Sequence, residues 1–132
     1  MQTFLPYPTF QRTVEILDDR RLGKQRVEAL QIYRALTVPG YGWARHPAVK
    51  MWYGHEAALL EYKNTCIREW VRRGFKNTME LSPVPDEIVY PRWLGDEEFH
   101  AAHRSNLLRK DGDYYRRFNW IEAPDLPYVW PG

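Results

Sequence analysis

The placement of proline limits this chain more than any other feature. Proline fixes φ and carries no N–H, so it breaks a helix interior, and it disfavours helix in the residue before it. The prolines stand at Pro6, Pro8, Pro39, Pro47, Pro83, Pro85, Pro91, Pro124, Pro127 and Pro131. Three segments remain with helical periodicity, and no segment shows the strict alternation of a half-buried strand. From Asp18 to Leu36, Leu22, Ala29, Leu30, Tyr33 and Leu36 recur at three- and four-residue intervals, and Asp18 and Asp19 suit the N-cap and first turn. Pro39-Gly40-Tyr41-Gly42 closes that helix. Pro47 fits the first position of a longer helix, in which Val49, Trp52, Leu59, Tyr62, Cys66, Ile67 and Trp70 carry the apolar face to a stop at Gly74. Asp96, followed by Glu97 and Glu98, caps a third helix to about Lys110, with Phe99, Ala102 and Leu107 inward.

The remaining segments read as packed arms. Pro6 and Pro8 among Phe4, Tyr7 and Phe10 make residues 1–12 an extended arm, and Ser82-Pro83-Val84-Pro85 is a loop. Asp111-Gly112-Asp113 reads as a turn before a tail of aromatics broken by Pro124, Pro127 and Pro131. The expected fold is all-α, a compact three-helix single domain over residues 1–132 with an extended N-terminal arm and an aromatic, proline-rich C-terminal tail. With 44% hydrophobic residues, 6 Trp and 9 Tyr, the chain can build a core without disulfides, and its single Cys66 can form none within the chain. No run approaches the roughly 18 apolar residues of a membrane span, and Met1-Gln2-Thr3-Phe4-Leu5-Pro6 has neither the basic start nor the apolar stretch of a signal peptide. The expectation is a cytoplasmic protein with no membrane partner and no obligate protein partner.

The net charge of +2 says little, but its distribution says more. Between Arg20 and Arg34 there are five cations, Arg20, Arg21, Lys24, Arg26 and Arg34, against one acid, Glu28, and His100, His103, Arg104, Arg109 and Lys110 form a second, acid-free cluster. Such asymmetry suggests a basic face for nucleic acid, with solvated helix faces as the alternative. There is no glycine-rich phosphate loop and no zinc spacing; His46 and His55 lie nine apart, and His100 and His103 three apart without free carboxylates, so neither metal nor cofactor is expected. Glu28 is open to two readings. By spacing it is an i, i+4 salt bridge to Lys24; on a nucleic-acid face a carboxylate needs a purpose, such as stabilising a cationic transition state or moving protons. Gly23 in mid-helix costs roughly 1 kcal/mol against alanine, which a close backbone approach would explain. Trp52 and Cys66 read as core.

Three stretches, in order and with their spacing, resemble the pyrimidine-dimer DNA glycosylase (phage endonuclease V-like) family. They are Arg26-Val27-Glu28-Ala29-Leu30, Glu69-Trp70-Val71-Arg72-Arg73-Gly74-Phe75, and His103-Arg104-Ser105-Asn106-Leu107-Leu108-Arg109-Lys110 with Tyr114, Tyr115 and Trp120 behind it. Leu5-Pro6-Tyr7-Pro8 and His46-Pro47-Ala48-Val49-Lys50-Met51-Trp52 resemble phage and bacterial members of a subfamily. The resemblance implies a DNA-repair enzyme that cleaves the N-glycosidic bond of a damaged or modified base in duplex DNA, with AP-lyase activity through an N-terminal amine. Glu28 falls at the family's essential glutamate, which supports attack of that amine on the sugar C1′. Arg20, Arg21, Lys24, Arg26, Lys50, Arg104, Arg109 and Lys110 are then the expected phosphate contacts, and His46, His103 and Asn106 a possible polar pocket. The family's amine belongs to a small residue exposed by removal of methionine; here the bulky Gln2 follows, so the implied amine is that of Met1. Two alternatives stay open: a non-catalytic binder of distorted nucleic acid, and the same scaffold re-used on a nucleotide or modified base.

Overall fold

The computed structural model describes residues 1–131, and among them there are helices but no strand. The elements are α1 (Phe10–Ile16), α2 (Asp19–Thr37), α3 (Pro47–Lys50), α4 (Glu56–Arg72), α5 (Glu97–Lys110) and α6 (Gly112–Tyr115), followed by a 3-10 turn over Arg116–Phe118. The first and third of the expected helices stand where periodicity placed them, as α2 and α5. Asp18 caps α2 by accepting from Arg21 N–H, and Asp96 caps α5 by accepting from Glu98 N–H. No described helix is long and apolar enough to cross a membrane.

Three local expectations are corrected. The stretch expected as one helix from Pro47 to Gly74 is two, because the chain turns at Gly54, whose φ of +82° is left-handed backbone, before α4 begins at Glu56. Val49 and Trp52 still reach the core, but from the short α3 and the turn behind it. The arm expected over residues 1–12 ends earlier, since Phe10 already opens α1 and buries its ring with Val14. Asp111-Gly112-Asp113 is the start of a one-turn helix that Asp111 caps by accepting from Tyr114 N–H.

The core lies chiefly between α2 and α4, roofed by α5 and the arm. Trp52 and Tyr62 are fully buried, and Phe10, Trp93 and Phe99 pack edge-to-face or tilted around them. Gly23 is explained by α4: a Cβ there would stand 2.9 Å from the Trp70 ring, which is stacked on Phe75. Cys66 is buried, and burial pushes its thiol up to about 12, so it is an inert apolar filler.

The arm is the unusual element. Residues 2–5 have no regular structure, yet all four are buried. A buried backbone without a ladder must find side-chain partners. Phe4 N–H donates to Gln25 Oε1 at 2.9 Å, and Phe4 C=O accepts the Tyr62 hydroxyl at 2.8 Å. Leu5 N–H donates to His103 Nδ1 at 3.0 Å, while Leu5 C=O lies 2.7 Å from His100 Nδ1. Arg104 donates to Pro6 C=O at 2.8 Å. Side chains from α2, α4 and α5 thus hold the arm residue by residue and carry the start of the chain to α2.

Candidate active site

Where the arm reaches α2 there is a cavity of about 350 Å³, lined by Met1 and Gln2 from the arm, Gln25 and Glu28 from α2, and the cations Arg20, Arg21, Lys24 and Lys110. Helical spacing explains the set from α2: Arg21, Lys24, Gln25 and Glu28 lie within two turns on the side facing the arm. Lys110 comes from the last turn of α5. Glu28 does not form the ion pair with Lys24 that its spacing favours; its Oε2 instead accepts Gln2 N–H at 3.2 Å and Gln25 Nε2–H at 3.2 Å. Arg20, Lys24 and Lys110 are exposed and make no ion pair among the described residues, whereas Arg21 reaches Asp18 at 3.3 Å. Four cations therefore surround one carboxylate that is held by neutral donors, and Met1 lines the same cavity.

The Met1 amine is three bonds, N–Cα–C–N or about 3 Å, from the Gln2 nitrogen that touches Glu28. His46 marks the same corner. It caps α3, its Nδ1 accepting Ala48 N–H at 3.0 Å, and burial, with the positive charge of the terminal amine second, holds it below the usual histidine range. Trp43 and Trp130 pack edge-on against its ring, so the C-terminal tail also comes to this corner.

Arg26 lines an adjoining depression with Arg20, Lys24 and Glu28, its guanidinium 4.4 Å over the Trp70 ring and donating to Asn77 Oδ1 at 2.7 Å. Other expected contacts lie elsewhere. Lys50 lines a different depression with Tyr53, His55 and Trp93. Arg104 is a correction to the expected basic face: it is buried and pairs with Glu97 and Glu122, since a guanidinium brought into the fold requires carboxylates and carbonyls around it. Arg109 is exposed and donates to Pro124 C=O at 3.3 Å. The pocket expected from His46, His103 and Asn106 is not assembled. His103 is inside the protein on Leu5 N–H, and Asn106 is buried with its Nδ2 on Ala102 C=O at 2.7 Å.

Sequence reasoning missed Gln2, Gln25 and Tyr62. The signal for Gln25 was present: a polar residue on the apolar face of α2 that Leu22, Ala29 and Ile32 define.

A family model described as pyrimidine dimer DNA glycosylase matches residues 1–83. The chain belongs to that family. The match covers the arm and α1 to α4, hence both Glu28 and the residues that meet it. The pyrimidine dimer DNA glycosylase family places the chain in DNA repair with a glycosylase-like role on DNA. The α5 side of the cavity, with Lys110, lies beyond the matched residues. No curated protein and no solved structure matches the chain.

Proposed function

We propose that the cavity is the active site of a glycosylase acting on damaged or modified duplex DNA, with the terminal amine as nucleophile and Glu28 as its partner carboxylate. The observation that carries this reading is the hydrogen bond of 3.2 Å from Gln2 N–H to Glu28, which fixes the chain start against the one carboxylate in the cavity.

The neutral amine attacks the sugar C1′, and the glycosidic bond breaks with its electron pair going to the base. Positive charge grows on C1′ and on the attacking nitrogen, where an adjacent carboxylate stabilises it and takes the nitrogen's proton. The ring opens as C1′ and nitrogen form an imine and O4′ takes a proton. Loss of a C2′ proton then expels the 3′ phosphate by β-elimination, the AP-lyase step, and water releases the amine. The amine in this reading is that of Met1; removal of Met1 would pass it to the Gln2 nitrogen, which already touches Glu28.

Arg20, Arg21, Lys24 and Lys110 hold phosphates around the reacting sugar. Such contacts set register without reading sequence. The glycosidic bond becomes reachable when the duplex is kinked or a nucleotide flipped out. The test is base release and strand nicking on ultraviolet-irradiated and on abasic duplex DNA. Glu28→Gln is expected to abolish both and leave binding nearly unchanged. Full activity in Glu28→Gln refutes the role of Glu28, and no activity in the wild type on either DNA refutes the reading.

A further inference from the structure

We propose that Gln25, backed by Tyr62, is a positioning residue of this site: its amide ties Glu28 to residue 2 through one carboxylate oxygen and leaves Oε1 as the oxygen that works. The inference rests on the glycosylase reading above, but its structural half can be tested without substrate.

Gln25 is 1% exposed. A primary amide in that position is costly unless its groups are all paired. All four are. Oε1 accepts Phe4 N–H at 2.9 Å and, at 2.6 Å, the Tyr62 O–H whose one proton it shares with Phe4 C=O, while Nε2 donates to Gln2 C=O at 2.9 Å and to Glu28 Oε2 at 3.2 Å. The orientation of the amide follows from its partners, because Phe4 N–H only donates and Gln2 C=O only accepts. Tyr62 is fully buried, and burial first, then the neighbouring Cys66 and Glu28, keeps its hydroxyl protonated, hence a donor.

Glu28 Oε2 therefore carries two donors, Gln2 N–H and Gln25 Nε2–H, and Oε1 carries none among the described residues. Around Glu28 stand Arg20, Arg21, Lys24, Lys110 and Met1 on the cavity side and Arg26 in the adjoining depression, with Tyr62 of α4 behind Gln25. A carboxylate anchored through one oxygen presents the other in a fixed direction, and small errors of placement at a reacting centre are costly in rate.

The test is Gln25→Glu, which keeps the shape and both acceptor bonds, removes both donors and sets a second carboxylate against Glu28. On abasic duplex DNA the affinity is expected to stay within about 2-fold, while the single-turnover rate falls about 10- to 100-fold. The acid limb of the pH–rate profile moves up by about one pH unit or more, because two adjacent carboxylates resist ionising together. A purely structural role would lower rate and melting temperature together and leave that limb in place, which overturns the proposal. The carboxyl ¹³C titration of Glu28 needs no substrate. A midpoint moved upward in Gln25→Glu supports the tie, and an unmoved one refutes it even if the wild type proves inactive. Tyr62→Phe, which leaves the Gln25 donors in place, is the second variant should Gln25→Glu not fold. It is expected to lower kcat several-fold at unchanged KM, and unchanged kcat counts against the backing role.

Discussion

His103 makes the buried arm sensitive to acid. Its ring is fully buried on α5, and Nδ1 accepts Leu5 N–H at 3.0 Å. Burial first, and the nearby His100 second, pushes it down from 6.5 to about 3. Its folded-state value thus lies below its unfolded one. On acidification protons bind the unfolded chain first, so stability is lost as the pH falls below about 6.5, until the folded ring itself protonates near 3. At about 1.4 kcal/mol per unit, the gap from 6.5 to about 3 bounds the total loss at roughly 5 kcal/mol. By about pH 5, roughly 2 kcal/mol of that has gone. His100, also lowered chiefly by burial, acts in the same direction. The assay is urea unfolding at about pH 7.5 and about pH 5, comparing wild type with His103→Asn, whose Oδ1 can still accept Leu5 N–H but does not titrate. The wild type is expected to lose roughly 2 kcal/mol more than the variant between the two pH values. Equal losses would refute the argument that a neutral buried ring holds the arm.

Gly23→Ala is expected to lower the melting temperature although alanine is the better helix former, because the new Cβ meets Trp70 at 2.9 Å and Trp70 is pinned by Phe75 and by its own bond to Lys76 C=O. Overpacking of about 1–3 kcal/mol outweighs a propensity gain of about 1 kcal/mol, and a raised melting temperature would contradict this. Lys24→Ala and Lys110→Ala are each expected to weaken DNA binding and reduce the salt slope of log Kd by about 1. Arg104→Ala should instead lower stability with little change in that slope; an unchanged slope in both lysine variants would remove the cavity rim from the interface.

Much of the fold could be read from the sequence because it rests on local rules. Leu22 and Ala29 of the expected stripe, the caps at Asp18 and Asp96 and the core positions of Trp52 and Cys66 follow from spacing and side-chain chemistry within a few turns. Ile32 and Ala35, however, are buried on α2 where Leu30, Tyr33 and Leu36 were expected, and those three are only half-buried. The arm could not be read this way. Its backbone partners lie far along the chain, as with Leu5 and His103, which are 98 residues apart. A residue's charge also does not say whether folding leaves it free: Arg20 and Lys24 stay exposed, whereas Arg104 meets Glu97 and Glu122, and Arg26 meets Trp70. Spacing favoured a Lys24–Glu28 bridge for the same reason, since it cannot register that a buried arm arrives with competing donors.

The central claim, that the chain start and Glu28 act together on DNA, is tested most directly by borohydride trapping on abasic duplex DNA, with peptide mass mapping of the adduct. The account predicts a reduced covalent adduct on the N-terminal residue, Met1 or Gln2 according to processing, which Glu28→Gln loses. No adduct, or an adduct mapped to a lysine, would contradict it.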